Sequence, residues 1–167
     1  IINVTINNTD DNPVFKANIP PITMNEENST IANLSIFFKT IDGDTLKYNF
    51  TPVNNMTVDV NNNTQTANIT AQADFFGTRH IIFSAIDSSN NSTASNNVTI
   101  SVSNINDAPL TPTLLVPLNN SAVFSAGGKA ALNWSASIDA DNDALTYYVL
   151  FGNTTSLALN GTTQNTN

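Results

Sequence analysis

The sequence predicts an all-β protein built of β-sandwich units in tandem, and three observations carry that expectation. Apolar residues alternate with polar ones in short runs, the period of a strand with one buried face, and no stretch keeps a helical period for about ten residues. Asp-Gly, Phe-Gly and Asn-rich pairs punctuate the runs as turns. The chain also repeats itself: Asp11-Asn12-Pro13 and Asp107-Ala108-Pro109 lie 96 residues apart, and the pattern D-x-D-x-L-x-Y at Asp42–Tyr48 returns at Asp141–Tyr147 with an offset of 99. That period is one sandwich long.

The elements follow in order. Ile2, Val4 and Ile6 alternate as a lone strand, matched before the second linker by Val98, Ile100 and Val102. Ala32, Leu34, Ile36 and Phe38 predict a strand, as do Leu46, Tyr48 and Phe50, then Met56, Val58 and Val60, then Ala67 and Ile69. From Arg79 to Asp87 the denser run Ile81-Ile82-Phe83 predicts a central strand buried on both sides, and Asn96 to Ile105 closes the unit. About seven strands are thus expected from 14 to 105, the number a sandwich needs. After Pro109 come Leu114-Leu115-Val116-Pro117, an Asn119-Asn120-Ser121 turn, a strand around Trp134 and another from Leu145 to Phe151, with Trp134 packed on Tyr residues as a small core. The expected division is 1–11 as the last strand of a preceding repeat or a donor strand, 12–107 as a full sandwich, and 108–167 as a sandwich cut short at its C-terminal side.

Composition narrows the function. The 167 residues hold no Cys, one His, five Lys+Arg and 13 Asp+Glu, for a formal net charge of -8. No disulfide, thiolate metal site or cysteine nucleophile is open to such a chain. Five scattered cations cannot neutralise a phosphate backbone, so nucleic acid is not an expected partner. The apolar runs are far shorter than the roughly 20 residues of a spanning helix, and no membrane span is expected in this segment. Catalysis has little to work with: His80 has neither Ser nor acid beside it and reads as a structural histidine, and a sandwich end offers paired carboxylates no deep cleft. The expected class is not an enzyme.

Polarity is carried by amides and hydroxyls, with 29 Asn, 22 Thr and 14 Ser against 11% charged residues. Fifteen of the asparagines head an N-x-[ST] sequon, where roughly six would follow from Ser and Thr content alone. They are Asn3, Asn7, Asn28, Asn33, Asn49, Asn55, Asn62, Asn68, Asn90, Asn91, Asn97, Asn119, Asn133, Asn153 and Asn160; the neighbours Asn90 and Asn91 cannot both carry a sugar, and Asn90 is taken as the acceptor. Asn3, Asn33, Asn49, Asn68, Asn97 and Asn133 occupy the polar phase of their strands, so N-linked glycans there would face away from a core.

Residues 13 to 107, through I-D-G-D-T-L-K-Y, A-D-F-F-G-T, F-S-A-I-D and V-T-I-S-V-S-N-I-N-D-A-P, resemble a cadherin-like, immunoglobulin-type repeat of prokaryotic surface proteins. Residues 109 to about 160, through P-L-N-N-S, L-N-W-S-A-S-I-D-A-D-N-D-A-L-T-Y-Y-V and F-G-N, resemble fibronectin type III-like modules of S-layer and adhesin proteins. The resemblance implies tandem immunoglobulin-like sandwiches and an extracellular, cell-surface location. Prokaryotic repeats with so dense a run of sequons imply an archaeal source.

The acids gather in linkers and turns. In a sandwich the turns after the second and sixth strands share an end with the N-terminal linker, so Asp11, Asp42, Asp44 and Asp87 should converge. Carboxylates drawn together repel, and a hard cation with six to eight oxygen ligands holds them; Ca²⁺ is the ion expected, and tight Asp-Gly and Asp-Asn turns with solvated carboxylates are the other reading. The resemblance implies that such a site stiffens a linker, with Asp107, Asp139, Asp141 and Asp143 as a second set. The family's L-D-R-E segment is replaced here by Ala73-Asp74-Phe75-Phe76 and the linker lacks a full D-x-N-D-N, which argues against a three-ion cluster.

These readings converge on a structural module of a glycosylated surface filament, S-layer or adhesin that acts in spacing and head-to-tail assembly. Its partners would be copies of itself or neighbouring domains of a longer chain, the strand at 1–7 filling an open edge after Pro109 in the first case. The alternative is a ligand-binding adhesion domain that recognises a partner cell or glycan.

Overall fold

The computed structural model describes residues 2–5, 9–118, 121, 131–151 and 158–165. The chain divides into two compact units, Ile1–Ile105 and Asn106–Asn167.

In the first unit eleven short strands form two facing layers. β1 (Val14–Phe15) pairs with β4 (Phe38–Lys39), and β3 (Ser29–Asn33), β7 (Thr66–Ala71) and β6 (Met56–Asn61) form an antiparallel sheet in that order. In the other layer β2 (Ile22–Asn25) runs parallel to β11 (Val98–Ser103), which pairs with β8 (Gly77–Ile81). The same layer continues as β10 (Ser92–Ala94), β9 (Phe83–Ile86) and β5 (Lys47–Phe50). The chain changes layer between β1 and β2 at Pro20-Pro21, where two residues without N–H groups cannot extend a ladder.

Alternation puts one face of each strand inside. Ala67, Ile69 and Ala71 of β7 face Val98, Ile100 and Val102 of β11 and Ile81, Phe83 and Ala85 of β8 and β9 across the core. Phe83, Leu34, Ile69 and Ile81 are fully buried, each worth about 1.5–3 kcal/mol over an exposed side chain. Phe15, Phe38 and Tyr48 extend the core as a chain of rings 5.2 and 5.7 Å apart.

Two expected strands are interrupted. The run through Phe38 stops at Asn33, whose Oδ1 accepts from Ser35 N at 3.2 Å and from Ser35 Oγ at 2.7 Å; Leu34–Ile36 turns as a 3-10 segment and leaves Ile36 exposed. The run expected to be buried on both sides breaks at Ile82, which is only half-buried and separates β8 from β9. Ile82 N donates to Thr51 Oγ1 at 3.0 Å, and Phe83 N donates to Ser95 Oγ at 3.0 Å. Beside that break Asn96 holds Ile19 from both sides, accepting from its N at 2.8 Å and donating to its O at 3.1 Å. His80 is an exposed residue on the outer side of β8, 3.5 Å from Thr99 Oγ1 through Nδ1, and so is no buried structural histidine. Ile2–Thr5 carry no strand, and Ile2 and Val4 are exposed.

In the second unit β12 (Leu114–Val116) pairs with β13 (Asn133–Trp134), and β14 (Leu145–Phe151) pairs with β15 (Ala158–Asn165). β15 was not expected from alternation, because its A-L-N-G-T-T-Q-N sequence is polar almost throughout; backbone pairing defines it. Trp134 packs 5.9 Å from the Tyr147 ring but remains half-buried, and Tyr147 Oη accepts from Ser137 N at 2.8 Å. Among the described residues no helix is long and apolar enough to cross a membrane.

Candidate functional site

Three segments meet at one end of the first unit: the linker before β1, the β4–β5 loop, and the β9–β10 turn. Gly43, at φ 84, and Asn90, at φ 69, let the last two reverse direction in the left-handed region. Asp11 N donates to Asp42 Oδ2 at 2.6 Å, tying linker to loop. Ser88 Oγ donates to Asp44 Oδ1 at 2.7 Å, and Asn91 Nδ2 donates to Asp10 Oδ2, tying both to the turn.

The result is an acidic cluster with one member the sequence reading missed. Carboxylate oxygens of Asp10, Asp42 and Asp44 lie within 4.8 Å of one another. Asp10 takes the place expected for Asp11, whose contribution is its backbone N–H; adjacent residues of an extended linker point opposite ways, so only one of the pair can face the loop. Asp87 serves as an organiser of the turn. Its Oδ1 accepts from Ser89 N at 2.9 Å and Asn91 N at 2.8 Å, while its Oδ2 is buried without a hydrogen-bond partner. Three oxygen-only donors at this spacing fit the chemistry of a hard divalent cation.

One tie of this arrangement recurs in the second unit. Asp107 N donates to Asp141 Oδ2 at 2.6 Å, the counterpart of the Asp11–Asp42 bond, and Asp139 Oδ1 accepts from Asp141 N at 3.0 Å and Asp143 N at 3.2 Å. Asp139 is buried like Asp87, and Asn142 at φ 60 turns the loop. Asp107, Asp139, Asp141 and Asp143 do not converge on one another as the Asp10 group does; Asp139 spends one oxygen on two backbone amides instead.

Most sequon asparagines with described side chains are exposed. Asn3, Asn28, Asn33, Asn49, Asn55, Asn62, Asn90, Asn97 and Asn133 are exposed, and Asn68 and Asn91 are half-buried. Asn7, Asn119 and Asn153 lie outside the described residues, as does the side chain of Asn160. The Asn91 amide nitrogen is engaged by Asp10, whereas Asn33 and Asn55 use only their carbonyls, Asn55 by accepting from Arg79 Nη2 at 2.9 Å. Arg79 itself lies 4.1 Å over the Phe75 ring, so Asn55 is held by a fixed guanidinium. A buried acid also went unnoticed in the sequence: Glu26 is 2% exposed, its Oε1 accepting from Ile105 N at 2.6 Å.

No curated protein matches the chain. Two similar solved structures are the endo-fucoidan hydrolase MfFcnA4 of glycoside hydrolase family 107 and a point variant of it. They are 19% and 17% identical, cover 60% and 87% of this chain, and give a TM-score of 0.44 each. The chain spans only 15% and 20% of those structures. Residues 10–101, over half of the chain, match the family model of the bacterial Ig domain, and the chain belongs to that family.

Proposed function

We propose that this chain is a structural spacer module of a glycosylated surface filament, S-layer or adhesin, of archaeal type. In this reading the first unit is a cadherin-like repeat and the second a fibronectin type III-like module. Bacterial Ig domains are commonly found in extracellular or surface proteins and are typically non-enzymatic, which supports the coarse class. The observation that carries the finer reading is the outward set of sequons: nine of the eleven sequon asparagines with described side chains are exposed. A weakly charged surface needs another source of hydration, and sugars on these amides supply it without touching the core.

Ca²⁺ is the proposed partner of Asp10, Asp42 and Asp44, where it would neutralise the clustered carboxylates and fix the linker to the loop and turn. No ion is proposed for Asp107, Asp139, Asp141 and Asp143 of the second unit, which do not converge on one another. The assembly proposed is head to tail, with copies of the chain or neighbouring domains as partners.

Peptide mass spectrometry of protein taken from its own cell surface tests the glycan reading. Hexose-bearing peptides are expected at Asn33, Asn49, Asn68 and Asn97 first; finding all four bare would overturn it.

A further inference from the structure

The free edge of β5 is closed by side chains instead of by a strand. Among the described residues β5 pairs with β9 alone, and Thr51 N donates to Ile82 O at 3.0 Å, so in this run the N–H groups of Lys47, Asn49 and Thr51 face β9. Tyr48 N and Phe50 N therefore face outward, as the donors an added strand would take. Both are already taken: Tyr48 N donates to Asn62 Oδ1 and Phe50 N to Asn49 Oδ1, each at 2.7 Å. Asn62 reaches back from the β6–β7 turn, which Asn61 Oδ1 holds by accepting from Asn63 N at 3.0 Å and Thr64 N at 3.2 Å.

Both capping residues head sequons, and both are exposed. Because each donor is a backbone N–H, the pinned atom must be the carbonyl oxygen, and the amide nitrogen is the one left over. N-glycosylation from an activated sugar-phosphate donor forms a bond from Nδ2 to the anomeric carbon, the phosphate leaving and one Nδ2 proton being released. The Oδ1 lone pairs are untouched, so cap and sugar are compatible on one side chain. Two other edges carry different protection, β6 the mid-strand Asp59 and β2 the preceding Pro20-Pro21, whereas β5 has a single charge, Lys47, at its first position and none beyond it.

We propose that Asn49 and Asn62 form a capped modification site: their carbonyls close the β5 edge, and N-linked sugars on the same two amides keep it closed to strand addition by a second copy of the chain. The second half rests on the glycan reading above; the first half does not.

Amide exchange and sedimentation on the full chain test both. In unmodified wild-type chain, Tyr48 and Phe50 N–H should exchange slowly; rates matching an unstructured peptide would overturn the cap. Asn62→Ala should speed exchange at Tyr48 and Asn49→Ala at Phe50, each by about tenfold. Asn62→Asp and Asn49→Asp, which keep an acceptor but cannot carry sugar, should preserve protection. The unmodified double alanine variant should self-associate and the glycosylated wild type should not; a monomeric double variant would overturn edge closure. Native protein with sugar at other outward sequons but none at Asn49 and Asn62 would overturn the sugar half alone. Protein bare at every sequon would overturn the glycan reading and leave the cap standing on the exchange data.

Discussion

Tyr48 buries its ring against Phe38 yet leaves its hydroxyl without a hydrogen-bond partner. A buried hydroxyl that lost its water and gained no partner is a net cost, so Tyr48→Phe should be neutral or stabilising by about 1 kcal/mol in urea denaturation, with m unchanged. Burial also raises the phenol above its ordinary 10.0. A folded pKa above the unfolded one means the contribution is fully present below about pH 10 and is lost as pH rises through the folded value. The wild type should therefore weaken in alkali more steeply than Tyr48→Phe. Phe83→Ala is the opposite case, since it empties a fully buried site and should cost about 3–5 kcal/mol in the same measurement.

At the scale of the element, strand edges and breaks decide behaviour. β6 is an edge, and among the described residues Asp59 is the only acid inside a strand of the first unit. A charge at mid-edge makes pairing with another sheet costly, so Asp59→Val should leave thermal stability within about 1 kcal/mol but promote oligomers in sedimentation at high concentration. The break beside Asn96 is of another kind. Its side-chain amide imitates one rung of a ladder by holding both the N–H and the C=O of buried Ile19, and Asn96→Leu leaves both without partners. A loss of about 2–4 kcal/mol in denaturation is expected, where Asn96→Asp, keeping the acceptor, should lose less.

For the molecule as a whole, the acid-rich end of the first unit joins three segments distant in sequence. An ion bound there only by the folded state stabilises by mass action, about 2.7 kcal/mol when free Ca²⁺ is a hundredfold above Kd. Chelation should then lower Tm by roughly 10 °C or more for a unit of this size, and Asp42→Asn with Asp44→Asn should remove the response. A melting curve unmoved by chelator would remove Ca²⁺ from the reading of this end. The family match covers residues 10–101, and the hydrogen bond of linker to D-x-D loop recurs outside it at Asp107 and Asp141, so this local tie occurs in both units.

The phase of each strand was legible in the sequence, because side-chain direction alternates by local stereochemistry alone: Ala67, Ile69 and Ala71 inside, Asn33 and Asn49 outside. The repeat, the turn residues and the neighbourhood of the acidic site were legible for the same local reasons. What only the tertiary structure decided is which groups from distant segments meet. Asp10 replaces Asp11 in the cluster because adjacent residues of an extended linker point opposite ways, and the fold decides which of the two faces the loop. Strand Arg79–Asp87 breaks at Ile82 because Thr51 and Ser95, just past the ends of β5 and β10, offer hydroxyls there. Asn62 lands on Tyr48, 14 residues away, because the register of β6 on β7 and of β5 on β9 sets the two edges side by side. Such contacts depend on register and twist summed over several strands, and no window of sequence contains them.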